Sequence, residues 1–173
     1  LLDYHQHEYT SLLNLFIEQQ FIGMQIDREK LEAYRDKLSS KIEYKHREFR
    51  VQELCKGHID RWEQRKTTEW LATHPKSKKV FQFNINSKQQ LGWLFFDALG
   101  YKSLTNTASG KPSVDKKTLP KLGVVGKLVN EYNLMNKELG YVDALLSLLD
   151  TDAVLHPKMK PVGTVTGRAS GGS

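Results

Sequence analysis

The sequence predicts a mostly α-helical protein built on long antiparallel helices, with shorter helices between them and short β-strands near the C-terminal end. Apolar residues recur at helical spacing from Arg28 to about Cys55, and a second such run extends from Val124 to Leu149. Two long amphipathic helices in one chain are expected to pack against each other along their apolar stripes. After Asp150 the sequence becomes rich in β-branched residues and glycine, which is typical of short strands.

Composition limits the class of protein. The chain has 173 residues, a mean hydropathy of -0.55 and a net charge of +6, and no apolar stretch is long enough to cross a bilayer. The single cysteine, Cys55, excludes an internal disulfide and is expected to be a buried free thiol. No signal peptide is visible, and without an initiator Met the sequence is expected to be part of a longer chain.

Local signals mark the first two helices. The amphipathic run from Asp3 to Phe21 predicts a helix that Gly23 stops, followed by a short extended link. Asp27 has the chemistry of an N-cap, because its carboxylate can accept hydrogen bonds from the next turn. Gly57 is expected to end the long second helix that follows.

The middle of the chain is less regular. Residues 58–79 show no clear pattern apart from a short helix around two tryptophans, and they also hold His58 and His74. A zinc site formed by these two histidines with Cys55 and His46 is disfavoured, because the ligand spacings match no known pattern and His46 lies within the long helix. Ser87 and Gln90 form a capping-box pattern that opens a helix closed by a glycine at position 100.

The last long helix has a heptad pattern. Its apolar positions are spaced alternately by four and three residues: Leu128, Tyr132, Met135, Leu139, Val142, Leu146 and Leu149. This seam predicts packing within one domain, with an intermolecular coiled coil as the alternative. Before it, Thr105–Ser113 is rich in turn formers and predicts an exposed loop, after which Asp115 can cap a short helix.

Positive charge is concentrated in the centre of the chain. Ten lysines and two aspartates lie between Lys76 and Lys127, a balance of +8, so the remaining residues sum to -2. A basic centre in an otherwise slightly acidic chain is typical of a surface that meets a phosphate backbone. The alternative is an ordinary solvated surface, since lysine-rich loops are common on soluble proteins.

Several motifs occur in a fixed order along the chain. The first is Phe83–Leu91 (FNINSKQQL), followed by a glycine- and lysine-containing segment at 104–119, then Glu131–Lys137 (EYNLMNK) and Gly163–Ser170 (GTVTGRAS). An upstream pattern precedes them, formed by Glu8, Leu12, Gly23, Ile26, Asp27 and Leu31. Together these motifs resemble the thumb and the start of the palm of family A DNA polymerases, the bacterial polymerase I class.

The resemblance implies a domain organisation. Residues 1–27 would link to an upstream exonuclease-side region, 28–150 would form the helical thumb, and 151–173 would begin the palm. The palm aspartates that hold Mg²⁺ in this family are expected to lie outside this chain, so the resemblance implies no catalytic residue and no metal ligand here. Asn133 stands where bacterial relatives usually carry Arg, and 58–79 is longer than in those relatives, which favours a phage-type enzyme.

The resemblance also implies DNA-binding residues. The arginine of TGR, Arg168, with its neighbour Thr166, is expected at the minor groove of the primer terminus, and Lys137 matches a lysine that contacts DNA phosphate. The expected thumb-tip contacts to the primer backbone are Ser109, Lys111, Ser113, Lys116 and Lys117. For each lysine, a solvated surface position is the alternative.

The function expected from the sequence is therefore part of a DNA-directed DNA polymerase. Its partners would be primer–template DNA and the remaining palm and fingers, with Mg²⁺ needed by the complete enzyme. The resemblance implies a cytoplasmic location in a bacterial or phage-infected cell, without membrane association. A standalone helical nucleic-acid-binding module and a coiled-coil interaction protein are the alternatives.

Overall fold

Helices dominate the computed structural model, which describes residues 10–107, 110–160 and 170–171. The described residues divide into two units. The smaller unit contains those up to Asp36 and those from Gly140 onward, and the larger unit is Lys37–Leu139. Long helices α2 (Arg28–Val51) and α5 (Gly123–Leu148) contribute residues to both units. The predicted fold class, mostly α with short strands, is confirmed.

The smaller unit begins with helix α1, Thr10–Ile22, which ends where predicted. Gly23 follows with a φ of +71°, and a Cβ there would overlap the side chain of Val154. Strand β1, Met24–Gln25, then pairs antiparallel with β2, Val154–Leu155. Contrary to the amphipathic prediction, α1 is apolar on more than one side, because Phe21 is 86% exposed while Phe16 is buried.

Helix α2 starts as its sequence predicts. The Asp27 carboxylate accepts a hydrogen bond from the Lys30 N–H at 3.0 Å, which satisfies one free donor of the first turn. Further along, Arg35 Nε donates to Asp143 Oδ1 of α5 at 2.7 Å. Of the two strands predicted after Asp150, the first is present as β2, and the second, at Gly163–Gly167, lies outside the described residues. Strand β3, Met159–Lys160, pairs antiparallel with β4, Ser170–Gly171.

The predicted end of the second helix at Gly57 is wrong. Helix α2 stops at Val51, Gln52 has an extended ψ of 122°, and a separate helix α3 runs through Gly57 from Glu53 to Thr73. A glycine inside a helix is destabilising by roughly 1 kcal/mol relative to alanine. Burial of Cys55, Ile59 and Trp62 on one side of α3 outweighs that loss. Residues 58–73 are therefore regular helix.

One hydrophobic core organises the larger unit. Phe49 of α2, Trp62 of α3 and Phe83 meet there, with ring centroids 6.0 Å apart for Phe49–Phe83 and 5.7 Å for Trp62–Phe83. Cys55 is fully buried, and its thiol donates to the Phe49 carbonyl at 3.3 Å. Burial raises the pKa of this thiol to about 11, so it is a packing residue, as expected from the sequence.

The predicted capped helix after Ser87 is present with a changed geometry. Helix α4, Lys88–Gly92, has the Ser87 hydroxyl accepting from the Gln90 N–H at 3.4 Å. Gln90 does not complete a reciprocal box, because its side-chain oxygen accepts from the Asn84 N–H at 2.6 Å instead. The helix continues as a π-helical segment, Trp93–Ala98, which the sequence pattern does not predict.

Helix α5 packs by its heptad seam. Leu128, Tyr132, Met135 and Leu139 all belong to or pack on the core of the larger unit. Helices α2 and α5 are in contact within that unit, where Lys45 Nζ lies 2.9 Å from a carboxylate oxygen of Glu131. These seam residues are thus occupied inside the chain, which argues against an intermolecular coiled coil at this position.

Gly126 allows α5 to lie against the preceding turn. A Cβ at this position would overlap the backbone carbonyl of Leu119 and lie 2.9 Å from the Leu122 Cβ. Gly140, in the same helix, has open space around the corresponding position. The two glycines therefore differ in their surroundings while sharing a helical backbone.

We expect Gly126→Ala to destabilise the chain by about 1–3 kcal/mol, because the carbonyl and α5 must separate to admit a methyl group. Gly140→Ala is the matched control and should stabilise by about 0.5–1 kcal/mol through helix propensity alone. Urea unfolding followed by circular dichroism measures both. Equal effects of the two substitutions would show that α5 does not approach the Leu119 carbonyl closely.

Candidate nucleic-acid interface

The ten lysines between Lys76 and Lys127 are all exposed in the larger unit. They are Lys76, Lys78, Lys79, Lys88, Lys102, Lys111, Lys116, Lys117, Lys121 and Lys127. Within the described residues none of them forms a salt bridge, whereas Lys30, Lys45 and Lys66 each pair with a carboxylate. Unpaired exposed ammonium groups leave an uncompensated positive field, which attracts polyanions.

The predicted loop at 105–113 is a narrow β-bridge. Asn106 pairs with Pro112, and the Thr107 N–H donates to the Lys111 carbonyl at 2.7 Å. The Ser113 N–H donates back to Thr105 at 2.9 Å, closing the base of the loop. These backbone bonds hold Lys111 on a defined turn while its side chain remains exposed.

Asp115 fixes the backbone that carries Lys116 and Lys117. One carboxylate oxygen accepts from the N–H groups of Lys117 at 2.8 Å and Thr118 at 2.9 Å. The other accepts from the Ser113 hydroxyl at 2.9 Å. The Thr118 N–H, the Ser113 hydroxyl and the Lys117 N–H together hold the pKa of Asp115 below its usual range. Lys116 and Lys117 are thus exposed on a turn whose shape is set by an ionised carboxylate.

The capped helix expected after Asp115 is shorter than predicted. Residues 116–118 form a turn, and only Leu119–Lys121 is helical, with 3₁₀ geometry. Pro120 lies inside this segment and can donate no backbone hydrogen bond, which favours a short element. The turn ends where Gly123 begins α5.

The other predicted DNA-binding residues have different surroundings. Ser113 is buried and its hydroxyl is used by Asp115, so it shapes the turn instead of facing solvent. Lys137 is exposed on α5 in the larger unit. Ser109, Thr166 and Arg168 lie outside the described residues.

Helix α3 carries a basic surface that the sequence interpretation missed. His58, Arg61 and Arg65 follow one another at spacings of three and four, which places them on one side of a helix. This spacing is visible in the sequence, but Gly57, as a helix breaker, predicts that the helix ends before these residues. The three residues line a groove with Trp93 of the π-helical segment.

Neither a cluster of metal ligands nor a membrane-spanning helix is present among the described residues. Among the described residues, no group of three or more His, Cys, Asp or Glu side chains is arranged to hold a metal ion. No helix in the same part of the chain has the length and apolar character of a membrane span.

Comparison with known proteins gives consistent matches. Residues 52–172 match the family described as DNA polymerase family A. The chain is 30% identical to a DNA polymerase of Bacillus phage SP01 over 94% of its own length, and 36% identical to DNA polymerase I of Helicobacter pylori over 51%.

A solved structure is similar in fold. It is described as the POL domain of Pol1 from M. smegmatis in complex with DNA primer-template and dNTP. It matches 98% of this chain with a TM-score of 0.76 and 18% identity. The chain spans only 20% of the phage relative and 26% of the chain in that structure.

Proposed function

The chain belongs to DNA polymerase family A, and on that premise we propose that it is the thumb of a DNA-directed DNA polymerase and grips primer–template duplex. The observation that carries the proposal is the set of ten exposed lysines without a carboxylate partner in the larger unit. Contacts from ammonium groups to phosphates hold a duplex without reading its sequence, which suits an enzyme that must move along any template.

The proposed domain boundaries are those expected from the sequence. Residues 1–27 link to an upstream region, 28–150 form the thumb and 151–173 begin the palm. The larger unit, Lys37–Leu139, falls within the proposed thumb, while residues 28–36 and 140–150 belong to the smaller unit. The paired strands β3 and β4 follow the proposed end of the thumb, which supports that boundary.

The complete enzyme would transfer nucleotides to a primer with Mg²⁺. Two metal ions would activate the primer hydroxyl and stabilise the leaving pyrophosphate. The described residues do not fit such a site, because they offer no cluster of carboxylates for a metal. We propose that the basic residues described above hold DNA.

The main proposed contacts to DNA phosphates lie at the turn that Asp115 organises. Lys111, Lys116 and Lys117 present ammonium groups from backbone that is fixed by hydrogen bonds. A fixed backbone limits the conformational entropy lost when the side chains meet phosphate. The proposed contact set also includes Lys137 of α5, and Ser109, Thr166 and Arg168, which lie outside the described residues. Ser113 contributes indirectly, because its hydroxyl donates to Asp115 and so helps to fix the shape of the turn.

The rest of the polymerase is the proposed protein partner. The chain spans 20% of the phage polymerase it resembles, and the smaller unit leaves large apolar side chains exposed, among them Phe21 and Ile22 of α1 and Leu148 of α5. Exposed apolar groups of this size favour an interface. We propose that the remaining palm and fingers, in the same or a separate chain, cover them in the cytoplasm of a bacterial or infected cell.

Duplex DNA binding should weaken steeply with salt. If about three to five phosphates are neutralised, log K against log salt should have a slope of roughly -3 to -5. Charge reversal of Lys116 and Lys117 to Glu should flatten the slope by up to about two, with affinity for different duplex sequences reduced equally. Fluorescence anisotropy with labelled duplexes at several salt concentrations measures this.

The matched control reverses Lys37 and Lys41, two exposed lysines of α2 outside the proposed contact set. It should leave the slope almost unchanged. A slope independent of salt would contradict the proposed function. If the control variant flattened the salt slope as much as the Lys116 and Lys117 variant, the phosphate contacts could not be assigned to the Asp115 turn.

Arg168 should act at the primer terminus in the complete polymerase. Arg168→Ala is expected to slow extension, most of all from mismatched termini, because a guanidinium fork contacts minor-groove acceptors that every correct pair presents. Arg168→Lys keeps the charge and should recover binding better than extension. Single-turnover primer extension measures both, and unchanged extension by Arg168→Ala would contradict this role.

A further inference from the structure

We propose that a groove between α3 and the π-helical segment binds unpaired nucleotides of single-stranded DNA. This α3 groove has a volume of about 450 Å³ and is lined chiefly by His58, Arg61, Trp62, Arg65, Trp93 and Asp97. That volume falls in the range of ligand pockets for small organic groups. The site uses none of the residues assigned above to duplex binding, so it extends the proposed function.

The side chain of Arg61 is held by contacts within its own helix. Its Nε donates to the Gly57 carbonyl at 2.9 Å, and Nη2 lies 3.4 Å from His58 Nδ1. A guanidinium group has five N–H donors, so most of them remain available. A cation held in this way loses little side-chain entropy when it meets a phosphate.

Arg65 lies one turn further along the same side of α3. Its Nε is 3.8 Å from Glu69, while the other oxygen of that carboxylate is 2.9 Å from Lys66. Glu69 is therefore shared, and Arg65 is weakly paired on an exposed face. Two arginines at this spacing provide two cationic contacts along one strand of a nucleic acid.

The floor of the groove is aromatic. Trp62 is 9% exposed and Trp93 is half-buried, with ring centroids 6.2 Å apart. Trp62 is also anchored on Phe83, 5.7 Å away in an edge geometry. Indole rings beside arginines form the combination that nucleic-acid-binding proteins use to hold unpaired bases, since every base has an aromatic face.

The π-helical segment contributes the remaining side of the groove. It carries both Trp93 and Asp97, and π-helical turns occur frequently at functional sites. Asp97 is exposed, and its carboxylate can accept from the N–H groups of a base. The lining thus offers cations for phosphate, aromatic surface for a base and an acceptor for the base edge.

Single-stranded DNA fits this lining better than duplex. A duplex presents mainly phosphates to a groove, because its bases are stacked and paired inside, and the tryptophans would then have no partner. A single strand can place a base in the groove while its phosphates meet the arginines. The excess of exposed lysines elsewhere in the larger unit favours approach of the same class of polyanion.

The test is binding of a labelled oligothymidylate of about eight nucleotides, measured by anisotropy and by quenching of tryptophan fluorescence. Arg61→Ala with Arg65→Ala should weaken binding by about tenfold or more at 0.1 M salt and reduce the salt slope by about 1.4, since two contacts are lost. Trp93→Leu should reduce the quenching. Alanine is compatible with the exposed face of α3, so the double variant should fold, which circular dichroism checks.

The matched control is Lys37→Ala with Lys41→Ala, which removes two exposed cations from α2. Equal losses in the two double variants would overturn the site, because bulk charge would then explain the binding. Displacement of the oligonucleotide by poly-glutamate with the same dependence on Arg61 and Arg65 would also overturn it. Blunt duplex should bind the Arg61 and Arg65 variant almost as well as wild type, which separates this result from failure of the proposed function.

Discussion

The carboxylate of Glu63 is the contact on which the larger unit depends. Both of its oxygens accept from the Arg50 guanidinium, at 2.8 and 3.1 Å, and one also accepts from the Phe83 N–H at 2.7 Å. It therefore joins the end of α2, the middle of α3 and the segment leading to α4. The pKa of Glu63 lies below its usual value, mainly because of the hydrogen bonds from Arg50 and to a lesser extent because of the Phe83 N–H. Burial alone would raise this pKa. The stability from this contact is present above the unfolded-state pKa and decreases as the pH falls through the folded-state pKa.

The surfaces assigned to DNA follow from this contact. Helix α2 ends at Val51 and α3 packs on the same core, where Trp62 and Phe83 are in contact. The exposed lysines that begin at Lys76 follow α3 in the chain. The same packing brings α3 beside the π-helical segment and creates the α3 groove. At the other end of this basic region, Asp115 provides a second carboxylate that organises backbone N–H groups.

Much of the fold could be predicted because its signals are local. The N-cap at Asp27, the stop at Gly23 and the α5 seam each depend on residues within a few turns, and each is present. The short helix predicted around Trp62 and Trp70 is present within α3, but the full length of α3 could not be predicted. Gly57 is a helix breaker by propensity, and packing of the α3 core residues on residues distant in sequence overrides it.

Only some residues of the candidate site could be predicted from the sequence. Clustering of lysines is visible in sequence, so Lys111, Lys116 and Lys117 could be named. The burial of Ser113 and the π-helical turn beside the α3 groove have no sequence pattern that would predict them. Arg168 and Thr166 rest on the family motif alone.

The Glu63 contact is tested most directly by a double-mutant cycle with Arg50→Gln and Glu63→Gln, using urea unfolding. The exposed pair Lys66 and Glu69 on the same helix serves as the control and should show no measurable coupling. Arg50 and Glu63 should be coupled by about 1–3 kcal/mol, because each single substitution leaves the partly buried charge of the other residue without its two-bond ion pair. Additive effects of the two substitutions, with no coupling beyond that of the control pair, would contradict the view that this carboxylate holds α2, α3 and the basic segment together.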